Sequence, residues 1–212
     1  MRHRLILAWL ATAAGCTFNP GAAQQALMQA NMQALQKDYA AAIGLYDQAL
    51  ANDPTLGAAV FFRGIAYRGR GNYDQALADI DKAVEMGVCG SRVPAERART
   101  KLEKLAAEAA GDKAKLAAAF APDDPLGVAA DLDKAVAQNA LNLDATALLL
   151  HGAVRIMQNR DADAQSDFDR YLRHRPGARE DLIIAIEKWK KERPVLDLSM
   201  IDDLARIVGR RG

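Results

Sequence analysis

The chain has 212 residues, half of them apolar and 6% aromatic, with 28 basic residues against 27 acidic ones and two cysteines. That length suffices for one ordinary domain or a short repeat array with a sizeable core. A formal charge of +1 excludes the basic field that non-specific nucleic-acid binding requires, two cysteines exclude a disulfide-stapled framework, and few aromatics with many alanines argue for closely packed helices rather than a β-sandwich.

The chain opens with Met1-Arg2-His3-Arg4, continues with the apolar stretch from Leu5 to Ala14, and then reaches small residues. This is the layout of a secretory signal, and its apolar run is short of the roughly 20 residues a membrane-spanning helix needs. Two cleavage positions compete. Gly21-Ala22-Ala23 presents small residues after Pro20, giving a leader of residues 1–23. Alternatively Ala13-Ala14-Gly15-Cys16 resembles a bacterial lipobox, giving a leader of 1–15 and a lipidated Cys16. In both readings the protein leaves the cytoplasm, periplasmic in the first and carried on an outer-membrane lipid anchor in the second. Cys89 is then the cysteine left to the folded part, read as a small buried residue or, in an oxidising compartment, a mixed disulfide.

A repeat follows. Tyr39, Ala42 and Ala49 are echoed in the same order and spacing by Tyr73, Ala76 and Ala83, which sets a period of about 34 residues. Ala78-Asp79-Ile80-Asp81-Lys82-Ala83-Val84 returns as Ala130-Asp131-Leu132-Asp133-Lys134-Ala135-Val136. That offset exceeds one period, and the excess reads as an insertion. A further copy carries Gly152, Ala164, Phe168 and Pro176. Gly64, Tyr67, Gly71, Tyr73, Ala76 and Ala83 resemble the tetratricopeptide repeat, a helix-turn-helix unit of the same period. The resemblance is densest over residues 23–90, good over 145–178 and thin between, and Arg155 stands where the family has a tyrosine. The expected architecture is all-α: an α-solenoid of stacked helix pairs.

The expected units span 23–56, 57–90, 109–144 and 145–178. Within the array of 24–178, segment 91–108 is expected as a helical insert with Leu102, Leu105 and Ala106 as its stripe. Residues 179–212 are expected as two capping helices, the first with its apolar stripe on Leu182, Ile183, Ile186 and Trp189, the second with Ile201, Leu204 and Val208 on one face. Pro54 and Pro176 end the second helices of their units.

Catalytic chemistry has little foothold. His151 and His174 stand far apart in the chain without ligand-spaced partners, so no metal and no cofactor is expected, and no nucleophile elbow or phosphate-binding loop is present. Asp79, Asp81, Asp161, Asp163, Asp167 and Asp169 read as solvated faces or helix N-terminal charges. The basic run Arg170 to Arg175 with Arg179 stands at a helix C-terminus, where cations are favoured, and is not read as a nucleic-acid site.

What remains is surface. The family resemblance implies that first helices line a concave groove for an extended peptide or partner helix. Position by position this points to Leu27, Asn31 and Leu35, to Phe61, Ile65 and Arg68, and to Leu149, Ala153 and Ile156, with Arg68 as the charged hook. Phe61 and Phe62 point about 100° apart, so both cannot enter one core. The expectation is a non-enzymatic exported scaffold or adaptor that binds a protein or peptide of the bacterial cell envelope. The competing readings are a self-assembling structural protein and an enzyme accessory subunit.

Overall fold

In a computed structural model of the chain, the described residues are 18–109, 112, 126–138, 145–191, 203 and 206–207. They are all-α, and the chain divides into two compact units at Val88/Cys89. The first unit holds α1 (Pro20–Leu35), α2 (Tyr39–Asn52), α3 (Gly57–Gly69) and α4 (Tyr73–Glu85). The second holds α5 (Arg92–Ala109), α6 (Val128–Gln138), α7 (Ala145–Met157), α8 (Asp161–His174), a short 3-10 turn (Pro176–Ala178) and α9 (Arg179–Lys191).

The helices pack as consecutive pairs, α1 on α2, α3 on α4, α5 on α6 and α7 on α8, and local chemistry sets where each begins and turns. Asn19 caps α1 by accepting from the Ala22 amide at 3.0 Å, and Asp38 caps α2 by accepting from the Ala41 amide at 3.0 Å. The turn inside three of the pairs is the same device. Lys37, Gly71 and Asn159 adopt left-handed φ values of 63°, 78° and 59°. The next residue's amide then donates back to the carbonyl five positions earlier, Asp38 to Gln33, Asn72 to Tyr67 and Arg160 to Arg155. Gly71 adopts this conformation without steric cost and asparagine tolerates it, whereas Lys37 holds it at a penalty.

Small residues bring the paired helices together. A Cβ on Gly64 would lie 3.0 Å from the Ala76 carbonyl oxygen, and one on Gly152 would lie 2.4 Å from the Phe168 ring. Ala76, Ile80 and Ala83 of α4, and Ala164, Phe168 and Tyr171 of α8, are essentially fully buried beneath these contacts. The first unit's core joins Ala26, Leu27 and Ala30 of α1 to Ala42, Ile43, Tyr46 and Ala49 of α2 and Ala59 and Ala66 of α3. The second unit's core gathers α5 to α9 around Leu148, Leu149, Ile156, Phe168, Leu182 and Trp189.

Segment 91–108, expected as an insert, is helical, and it packs against α6 as a first helix packs against its second. The third pair is therefore α5 with α6, and the extra residues fall between these two helices rather than ahead of the pair. In the C-terminal tail, α9 buries Leu182, Ala185 and Trp189, while Ile183 is 47% exposed. The stripe leaves Ile183 out because spacings of three and four residues from Leu182 reach Ala185 and Trp189. Asp203, Arg206 and Ile207 have helical backbone; Ile207 is buried and Asp203 accepts from the Trp189 indole at 3.3 Å. Ile201, Leu204 and Val208 lie outside the described residues, as does Cys16. Of the two readings of Cys89, the small buried residue is corrected: the side chain is exposed, because it lies in the connection between α4 and α5 rather than on a packed helical face.

Candidate functional site

Each unit buries charge between its paired helices. Arg63 on α3 donates twice to Asp79 on α4, Nε to Oδ2 and Nη2 to Oδ1, both at 2.7 Å, and once to Asp47 on α2 at 2.6 Å. The hydrogen bonds to Asp79 raise the Arg63 guanidinium above its ordinary value against the opposing effect of burial. On α5, Arg97 donates to Asp131 of α6 through both Nε and Nη2, and Lys101 reaches the same carboxylate at 2.7 Å. On α7, His151 Nδ1 lies 2.5 Å from Asp167 of α8, and its Nε2 lies 2.9 Å from Asp133 of α6. Arg155, on the next turn, also pairs with Asp133. Burial pushes the Asp133 carboxyl up, but hydrogen bonds from His151 and Arg155 outweigh it and hold that group below its usual value.

These contacts correct the reading of Asp79 and Asp167 as solvated. Both are buried, as is Asp131. The physical reason is pairing: an isolated buried carboxylate costs several kcal/mol, and a facing guanidinium or ammonium at Asp79 and Asp131, or the His151 ring at Asp167, offsets that cost. The register carried a signal. Arg63 and Arg97 stand one repeat period apart, and the offset from Arg63 to His151 equals the offset from Asp79 to Asp167. In the first copy Leu45 holds the acid's place and is packed against the first unit's core. The described residues contain no group of three or more His, Cys, Asp or Glu side chains that could hold a metal ion.

The expected groove residues divide sharply between the units. In the first unit α1 and α3 touch and present Asn31, Ile65 and Arg68 at half-buried positions, with Leu35 84% exposed. Leu27 and Phe61 are buried and act as packing residues; Phe62 is half-buried, its ring 5.4 Å from that of Phe61. The Tyr46 hydroxyl donates to Asn31 Oδ1 at 2.8 Å. That bond engages the oxygen of the Asn31 amide, whose nitrogen carries two N–H donors. Arg68 adds a cation one turn beyond Ile65.

In the second unit every residue from Ala147 to Met157 is buried. Helices α5, α6, α8 and α9 all pack on α7, so Leu149, Ala153 and Ile156 are core residues rather than groove lining. Partly accessible positions thus remain on α1 and α3, whereas the corresponding positions on α7 are filled.

No protein-family model matches the chain, and no curated protein matches it. Among solved structures it resembles YrrB, described as "a TPR protein with an unusual peptide-binding site", at 20% sequence identity and a TM-score of 0.53, over 86% of this chain and 84% of that one. The likeness establishes the fold as that of the tetratricopeptide repeat.

Proposed function

We propose that this tetratricopeptide-fold chain is a non-catalytic scaffold or adaptor whose first unit binds an extended peptide or partner helix across α1 and α3. The observation that carries this reading is the row of half-buried Asn31, Ile65 and Arg68 on adjacent first helices, with the Asn31 amide oriented by Tyr46. A preformed polar anchor beside an apolar contact lowers the ordering cost of binding. The peptide-binding site ascribed to YrrB supports the same class of ligand. The basic start and apolar run of residues 2–14 support export, which makes the partner a protein of the cell envelope. Capture from an envelope fraction tests this: Asn31→Ala/Arg68→Ala is expected to lose the partners that the wild type retains, and an unchanged set would remove the assignment.

A second reading, self-association, rests on Met28, Met32 and Leu35, which are 61%, 60% and 84% exposed on α1. At spacings of four and three they form one stripe on a helix that carries no charged residue. Light scattering over a dilution series separates the two, since an adaptor keeps one mass and a self-assembling chain does not.

A further inference from the structure

Two cleavage positions are open in the sequence, and the geometry of α1 separates them. Residues 19–23 are the first turn of the first pair. The Asn19 amide donates to the Asn52 carbonyl at the end of α2, 2.9 Å away, tying the entry of α1 to its partner helix. Asn19 Oδ1 accepts from the Ala22 amide, and its carbonyl accepts from Ala23 at 3.0 Å. Pro20 occupies the first helical position, where its missing N–H leaves no intrahelical bond unmade. Ala23 is 1% exposed.

We propose that the leader is removed upstream of Asn19, at the Gly15–Cys16 bond, and that the mature protein keeps residues 19–23 as built structure. The proposal rests on the export reading above. A cut after Ala23 would delete the cap, the tie to Asn52 and a buried alanine. It would also place a new α-ammonium group on Gln24 at the N-terminal end of α1, where the helix dipole is already positive and disfavours a cation. A cut at Gly15–Cys16 does none of this. Water adds across that one amide, residues 1–15 leave with a Gly15 carboxylate, and Cys16 keeps a free α-amine three residues before the cap.

Intact-mass and N-terminal sequencing of the protein recovered from the envelope of an exporting bacterial host tests the position. A chain starting at Cys16, with or without added acyl mass, is expected. One that starts at Gln24, or that keeps Met1 in the envelope, overturns the proposal while leaving export intact, and recovery in the cytoplasm with Met1 retained overturns export itself. A second measurement is independent of processing. Chains made without a leader, one starting at Cys16 with Cys16→Ser and one at Gln24, are compared by thermal melting. The shorter chain is expected to melt roughly 2–8 °C lower, and coincident melting would remove the physical basis of the proposal.

Discussion

The first helices of the two units are built from the same repeat and end in opposite situations. In the first unit α1 and α3 keep one side accessible, with Asn31, Ile65 and Arg68 half-buried and Met28 and Met32 well exposed. In the second, α7 is enclosed by α5, α6, α8 and α9, and its corresponding residues Leu149 and Ile156 are 0% and 1% exposed. A repeat position thus defines a direction on a helix, and what lies in that direction belongs to the neighbours. The buried charge differs as well. Arg63 and Asp79 form a two-bond fork supported by one outer carboxylate, whereas His151 is shared between Asp167 and Asp133 with Arg155 beside it.

Breaking the fork should cost as much as opening a core cavity. Arg63→Met leaves Asp79, 7% exposed, without its strongest partner and is expected to cost about 3 kcal/mol. Adding Asp79→Leu should restore most of that loss, because a well-packed apolar pair is close to neutral at such a site. Urea unfolding of the single and double variants measures both, and failure of the double variant to recover would show that the fork does more than compensate charge.

The contrast between enclosed and open first helices is sharpened by a matched pair of truncations. Leu149→Ala is expected to lose about 2–5 kcal/mol by leaving a cavity in the second core. Ile65→Ala should lose less than half as much and weaken partner capture instead. Equal stability losses would mean that the face of α3 is as enclosed as that of α7.

A smaller difference concerns acid. The Asp133 carboxyl is held below its ordinary value in the folded chain, so its stabilising contribution is present above the unfolded carboxylate value of about 3.9 and is lost as pH falls through the folded one. Because that side chain is 53% exposed, the gain is within about 1 kcal/mol. The melting temperature of Asp133→Asn should lie slightly below wild type at neutral pH and converge with it in acid; a constant gap would exclude the ion pair as the cause.

The smallest effect is at the turns. Lys37→Gly relieves a left-handed residue that Gly71 already accommodates in the next turn, and should gain about 0.5 kcal/mol after the extra chain entropy of glycine is subtracted. No gain, read from the same denaturation curves, would show that the Lys37 turn carries no recoverable strain.

Much of the fold is legible in the residues. The echo of Tyr39, Ala42 and Ala49 in Tyr73, Ala76 and Ala83 locates the helix pairs, and Gly64 and Gly152 mark where they approach, because a helical period and a missing side chain are local properties. Of the candidate site, Asn31, Ile65 and Arg68 were reachable from repeat position. The burial of Asp79, Asp131 and Asp167 was not read, although the matching offsets of Arg63, Arg97 and His151 carried it. An aspartate on a helix looks the same in one dimension whether it faces water or a guanidinium.

The sequence by itself determined where helices form and where the chain turns between them, since hydrogen bonding within a helix and the geometry of a left-handed turn involve only neighbours in the chain. Tertiary structure alone decided which sides stay open. Leu149 was buried by helices drawn from residues 92 to 191, α5 became the partner of α6 across the inserted residues, and Ala23 became part of a core. In each case the deciding contact joins segments far apart in sequence, and burial is a property of that contact, not of either segment.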